Sequence, residues 1–404
     1  MRIFCPADIL IPPKEKLPKW SVVACDQYTS QREYWEQVRS HTDGEVSAVQ
    51  LILPEAELGD DLDARAEKIH DRMDQYLAEK VFREFKNSYI YIERTLTDSN
   101  IRRGILGMID LEAYHYLPDS AAEVRATEKT VVERIPARKK IREKASLDMS
   151  HILLLADDAQ DLIFSRLQNC EELPVVYDFD LMENGGHIVG RLVDGENARE
   201  LEAGIAAYED YARRKHGEKH KPIVYAVGDG NHSLAAAKAC YEKLQQEEKE
   251  GARRYAMVEL GNIHDPQQCF EPIHRIVTTD APDDLLQALK AEIGDTAGYD
   301  LEWFAGEDKG SIPIRVEDAD LPVKVLQDFL DRYAAEHRIT IDYIHGDDVL
   351  KTLCKEQGNI GFRLSTIEKK DLFDSIQKNG YLPRKTFSMG HANEKRYYLE
   401  TRKL

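Results

Sequence analysis

The stretch Val227-Gly228-Asp229-Gly230-Asn231-His232-Ser233-Leu234-Ala235-Ala236-Ala237-Lys238 runs from a strand through a tight turn into a helix. The apolar run Pro222-Ile223-Val224-Tyr225-Ala226-Val227 sets the strand. Gly228 and Gly230 permit positive φ and close approach of a ligand to the backbone. Leu234, Ala237, Tyr241 and Leu244 recur at helical spacing, so a helix from about Ser233 has a face to bury. Its start offers unpaired N–H groups and the positive end of the helix dipole, which together suit a phosphate. Asp229 or Asn231 is placed to cap it, and His232 projects from its first turn. The third glycine of the dinucleotide fingerprint is missing, and no G-K-[ST] triplet follows a strand. On its residues alone the turn reads either as a ligand site or as a capped structural turn.

Around this turn the chain alternates strand and helix patterns. Ser88 to Leu96 reads as a strand from its aromatic and β-branched content, and Ile105 to Leu111 as its antiparallel partner. Val175 to Phe179 and His187 to Leu192 flank Glu183-Asn184-Gly185-Gly186, a hairpin turn. A helix is expected over Asn197 to Lys215 and a strand over Arg254 to Leu260. The fold class is mixed α/β (α+β). Three segments are expected: 1–165, a mixed α/β region; 166–280, a core holding the turn; and 281–404, a C-terminal α/β region.

Composition limits the function classes. The 404 residues suggest two or three domains at about 150 residues each. With 42% hydrophobic residues there is material for a sizeable core, and 32% charged residues fit a soluble protein. Charge interrupts every apolar run long enough to span a membrane, and Met1 to Asp8 has no apolar signal core, so the expected location is the cytoplasm. Lys plus Arg is 55 and Asp plus Glu is 74, a formal net charge of -19. Such a surface repels polyanions, and no recognition helix is evident, so nucleic acid is not the expected partner. Filter binding at moderate salt should show no sequence-selective retention of DNA; a nanomolar, sequence-specific complex would overturn this. Cys5, Cys25, Cys170, Cys240, Cys269 and Cys354 are scattered without a C-x-x-C pair, which suggests reduced thiols rather than a zinc ribbon or a disulfide framework.

Four segments resemble, in order, those of the bacterial domain-of-unknown-function 1015 family. Glu128-Lys129-Thr130 is similar to its H-E-x-T segment, and Gly228 to Ser233 to its D-G-H-H-R turn. Pro272-Ile273-His274-Arg275-Ile276-Val277 is similar to its P-T-H-R-L-V segment, and Leu382-Pro383-Arg384-Lys385-Thr386 to its M-P-P-K-S-T segment. Asn231 stands for the first His of the family turn and Ser233 for its Arg, which removes a bidentate phosphate donor. The resemblance implies a ParB/sulfiredoxin-like nucleotide-binding core with additional N- and C-terminal segments. Members of that superfamily bind nucleotides, and some phosphorylate free serine. It also implies a link to serine metabolism.

Other clusters carry paired readings. Arg134, Arg138, Lys139, Lys140, Arg142 and Lys144 form the one dense basic run, either a holder of nucleotide phosphates or a solvated helix face. His274 and Arg275 are substrate-binding candidates for a carboxylate or phosphate, or an internal pair that locks a loop. His216 and His220 have ligand spacing but sit in a charged, glycine-bearing stretch. Cys25 reads as a nucleophile or a buried thiol, and Asp26 or Thr29 as a helix cap.

The reading that follows is phosphoryl transfer from ATP or ADP with Mg²⁺ to a small hydroxyl substrate such as free serine. Backbone N–H groups from Gly230 to His232, with Gly228, Asn231, Ser233, Arg138 and Lys139, would hold the nucleotide. Asp229 would bind Mg²⁺ or orient the acceptor, Glu128 would take the hydroxyl proton, and His232 would assist. The alternative is a non-catalytic nucleotide sensor or a partition-like binding protein.

Overall fold

Aromatic and β-branched residues at 88–92 and 105–109 build two long strands, β1 (Arg83–Thr95) and β2 (Ile101–Asp110). They pair antiparallel with Ile90 opposite Leu106. The computed structural model describes all residues except 1, 60, 98, 118–119, 131–134, 216–220, 269 and 318–320. Further strands bearing on the site are β3 (Val124–Ala126), β4 (Leu147–Met149), β5 (Leu153–Ala156), β6 (Tyr225–Asp229), β7 (Tyr255–Asn262) and β8 (Thr401–Lys403). Among the described residues this sheet has thirteen strands, and its main path is Tyr114–His115, β3, β6, β5, β7, β2, β1, Ala7–Ile11, β8, β4. β3 is parallel to β6 and β5 to β7, while β6 meets β5 antiparallel. The hairpin forms as expected: Val175–Asp180 pairs with His187–Val193, and Glu183 and Asn184 turn the corner at φ 53° and 57°.

Both faces of the sheet are covered, because successive residues of a strand point to opposite sides. Ile90 and Ile92 join Trp20, Trp35 and two residues of α1 (Leu62–Ala78), Met73 and Tyr76, in one core. Next come α2 (Ile135–Glu143), α3 (Gly195–Lys215) and α4 (Asn231–Tyr241). Tyr89 and Tyr91 pack with Leu201, Ile205 and Tyr208 of α3 and Leu234 and Tyr241 of α4 in the second core. Ile135 of α2 packs against Ala235 and Ala236 of α4. Among the described residues, no helix is long and apolar enough to cross a membrane.

The chain folds as two compact units, Met1–Gln268 with His391–Leu404, and Cys269–Gly390. Among the described residues the second holds an antiparallel six-stranded sheet centred on Asn359–Arg363 and Glu271–Thr278. Its core includes Leu285, Leu326, Phe329 and Phe362, all fully buried. These units divide the chain differently from the three expected segments. No boundary falls near 165, because β6 and β7 insert among strands that precede it. The last residues return to the first unit through buried charge and pairing. Arg396 bonds Glu259 and Glu400, Tyr397–Tyr398 pairs with Val22–Val23, and Thr401 lies opposite both Leu10 and Met149.

Candidate functional site

One backbone conformation organises the turn after β6. Gly230 sits at φ 77°, in the left-handed region, as the N-cap of α4. A Cβ there would lie 2.9 Å from Ile152 Cα, so space and conformation both require glycine. Gly228 lies where the pairing of β6 with β5 slips between Val227 and Asp229. Among the described residues no side chain caps α4. Asp229 Oδ1 instead accepts the Gly230 N–H at 2.8 Å, which corrects the expectation of an Asp229 or Asn231 cap. Ser233 and Leu234 N–H both donate to Gly230 O, so the amides of Asn231 and His232 precede the helical ladder. Asn231 Oδ1 is buried with no hydrogen-bond partner among the described residues.

Charge gathers at the same end of β6. Asp229 Oδ2 lies 3.5 Å from Lys395 Nζ. On the parallel strand β3, Ala126 is opposite Val227, and the Thr127 hydroxyl donates to Val227 O at 2.8 Å. The chain continues into Glu128, half-buried, two residues past the end of β3.

Ser233 leads into a second polar cluster, behind the turn. The ribbon of Val22–Val23 with Tyr397–Tyr398 sets Cys25 and Asp26 beside Tyr398. The Tyr398 hydroxyl donates to Cys25 Sγ at 3.1 Å and lies 2.7 Å from His151 Nδ1. His151 Nε2 lies 3.4 Å from Ser233 Oγ and 3.5 Å from Asp26 Oδ2. Asp26 in turn lies 3.6 Å from Arg138, which pairs with Glu55 at 2.6 Å. Burial opposes the Asp26 charge, but His151, Arg138 and a Gln27 hydrogen bond outweigh it and hold the carboxyl well below the usual range. Burial pushes the Cys25 thiol up to about 11, with Arg138 opposing, so it is a neutral thiol and not an activated nucleophile. Asp26 and Thr29 cap no helix: Arg32–His41 starts after Gln31 without a side-chain cap. Tyr398→Phe removes the hydroxyl that joins Cys25 to His151. It should lower stability by about 1–2 kcal/mol in urea denaturation, and an unchanged midpoint would contradict this network.

The structure thus sets Gly228, Asp229, Gly230, Asn231 and His232 along one turn, with Glu128 two residues past the end of the parallel strand β3, and connects Ser233 to Arg138 through His151 and Asp26. Lys139 is elsewhere: it pairs with Glu143 at 3.3 Å, and its carbonyl accepts from Cys240 at the far end of α4. His274 and Arg275 lie in the second unit, 1% and 0% exposed. Leu364 N–H donates to His274 Nδ1, and His274 Nε2 meets Asp347 at 2.9 Å. Arg275 bonds Gln327, Ile273 O and Arg384 O and stacks on Tyr343. That is the arrangement of an internal lock. Arg134, His216 and His220 fall outside the described residues. His151, Glu55, Tyr398 and Lys395 were not legible as site residues, since no sequence spacing links 55, 151, 395 and 398.

Among solved structures, a free serine kinase in complex with AMP is 14% identical, covering 72% of this chain and 90% of that one, at a TM-score of 0.38. A variant of free serine kinase with ADP is also 14% identical, covering 73% and 91%, at 0.39. SbnI with C-terminal truncation, from Staphylococcus aureus, is 11% identical, covering 70% and 83%, at 0.37. These likenesses are distant. No curated protein matches the chain. The family model described as "Protein of unknown function (DUF1015)" matches residues 5–403, and the chain belongs to that family.

Proposed function

We propose that the protein is a cytoplasmic nucleotide-dependent phosphotransferase acting on a small hydroxyl substrate, with free serine as the first candidate and ATP or ADP as donor. The observation that carries this reading is the Gly230 turn, whose left-handed, Cβ-intolerant backbone leads from Asp229 directly into the N-terminus of α4. The Asn231 and His232 amides would bind phosphate oxygens, aided by the helix dipole. Lys395, 3.5 Å from Asp229, adds a cation to the same place. Transfer breaks the bond from the terminal phosphorus to its bridging oxygen and forms one to the acceptor oxygen. The hydroxyl proton passes to Glu128.

Mg²⁺ that arrives on a nucleotide needs only one or two protein carboxylates. Asp229 supplies one, and among the described residues no group of three acidic, His or Cys side chains gathers to hold a metal alone. The residues fit a nucleotide-borne ion held by Asp229, which would supply neutralisation of phosphate charge. The nucleotide-sensor reading draws on Ser233, a neutral side chain that faces His151 at 3.4 Å and adds no charge for catalysis. A thermal-shift screen against ATP, ADP and AMP, with and without Mg²⁺, tests the binding half of the proposal. A shift with at least one of them is expected, and none with any would refute both readings.

A further inference from the structure

Two arginines stand opposite each other where the pattern of β1 calls for apolar residues. Ile90, Ile92 and Arg94 alternate onto one face of β1. Arg94 is opposite Arg102 of β2, and the two are 2% and 7% exposed. Like charges directly opposite in a sheet destabilise it, and taking them out of water adds to the cost. Burial first and Arg102 second hold the Arg94 guanidinium below the usual arginine range. A β-branched apolar residue would serve this strand better, so the pair answers to something other than packing.

The pair binds backbone. Arg94 donates to Asn393 O at 2.7 Å and to Lys395 O at 2.5 Å, and Arg102 donates to Glu394 O at 3.1 Å. Three consecutive carbonyls are thereby fixed, in a segment of the first unit. Arg94 also holds Gly185 O at 2.7 Å and stacks over Tyr397. The Asn393 amide donates to Asn184 O, and the Glu394 carboxylate accepts from the Thr97 hydroxyl and the His391 N–H. From this fixed backbone the Lys395 side chain reaches Asp229 at the turn, 3.5 Å away. A simple ion pair needs no such support, because the flexible four-carbon lysine stem absorbs small shifts of its backbone. Binding of a reacting group does need it, since a misplacement of about 1 Å can cost about 10²-fold in rate. We infer that Lys395 binds the terminal phosphate of the nucleotide, and that Arg94 and Arg102 are the positioning residues that aim it. This deepens the phosphotransferase reading, on which it rests for the fate of that phosphate. When nucleotide binds, the Lys395 ammonium exchanges the Asp229 carboxylate for the more highly charged terminal phosphate and stays protonated. Arg94 and Arg102 act only through the backbone of residues 393–395.

Calorimetry compares AMP with the tighter-binding of ATP and ADP. Lys395→Ala should weaken the longer nucleotide at least about tenfold and AMP, which lacks the terminal phosphate, by less than about twofold. Arg94→Lys keeps a positive charge but cannot span Asn393 and Lys395, so it should lower the preference for the longer nucleotide in the same way. In the double variant Arg94→Lys/Lys395→Ala that preference should fall no further than in Lys395→Ala, because both substitutions remove one interaction. Arg102→Lys, which gives up a single carbonyl, should show a smaller effect of the same kind and serves where Arg94→Lys does not fold. Arginines with a purely structural role would weaken AMP and the longer nucleotide alike. An unchanged preference in Lys395→Ala, or additive losses in the double variant, would overturn the inference, and a phosphorylated product formed by the wild type would leave the phosphotransferase reading standing. The expected loss of preference, with no phosphorylated product from the wild type, would do the reverse. Wild-type protein that binds no nucleotide would overturn both.

Discussion

Gly230→Val should abolish the proposed nucleotide binding. At φ 77° a β-branched residue is strained in its own backbone, and its Cβ would meet Ile152 Cα at 2.9 Å and Ile152 Cγ1 at 3.0 Å. Ile152 cannot yield easily, because it is buried and follows His151, which is tied to Tyr398. The turn must therefore shift, and with it the Asn231 and His232 amides. Loss of several charge-assisted hydrogen bonds at once should cost at least about 10²-fold in affinity. Calorimetry on the folded variant checks this. Affinity equal to wild type would remove the turn as the nucleotide site.

Asp229→Asn should cost turnover of order 10²-fold or more and nucleotide affinity much less. The amide keeps the carboxylate's shape, and its oxygen can still accept the Gly230 N–H now held at 2.8 Å. What disappears is the negative charge 3.5 Å from Lys395. A structural role would leave turnover nearly intact in this isosteric variant, whereas a role in holding Mg²⁺ or orienting the acceptor would not. His232→Ala should cost less, since the imidazole is one of several donors at the helix start. Steady-state kinetics of both variants decide the order, and equal effects of the two would contradict the assigned roles.

The turn was legible because its signals are local: an apolar run, two glycines, then helical periodicity over Leu234 to Leu244. The hairpin at 175–193 was legible for the same reason. Local signals misled at the caps. Asp229 is the right residue type but stands two positions before the first residue of α4; the left-handed Gly230 takes the capping place and Asp229 turns back onto its amide. The second cluster was invisible because Asp26, Glu55, Arg138, His151 and Tyr398 meet only through long-range pairing, above all the ribbon that joins Val22–Val23 to Tyr397–Tyr398. The resemblance to a family located the segments around Glu128 and Gly228. That they stand side by side follows from the parallel register of β3 and β6, which one sequence does not encode in any short motif.

The most direct test of phosphoryl transfer is mass spectrometry of wild-type protein incubated with serine or threonine, ATP or ADP, and Mg²⁺. The expected result is a phosphorylated hydroxy amino acid together with a nucleotide shortened by one phosphate. A nucleotide that binds, with no phosphorylated product from either amino acid and either donor, would contradict the phosphotransferase account and leave a nucleotide sensor in its place.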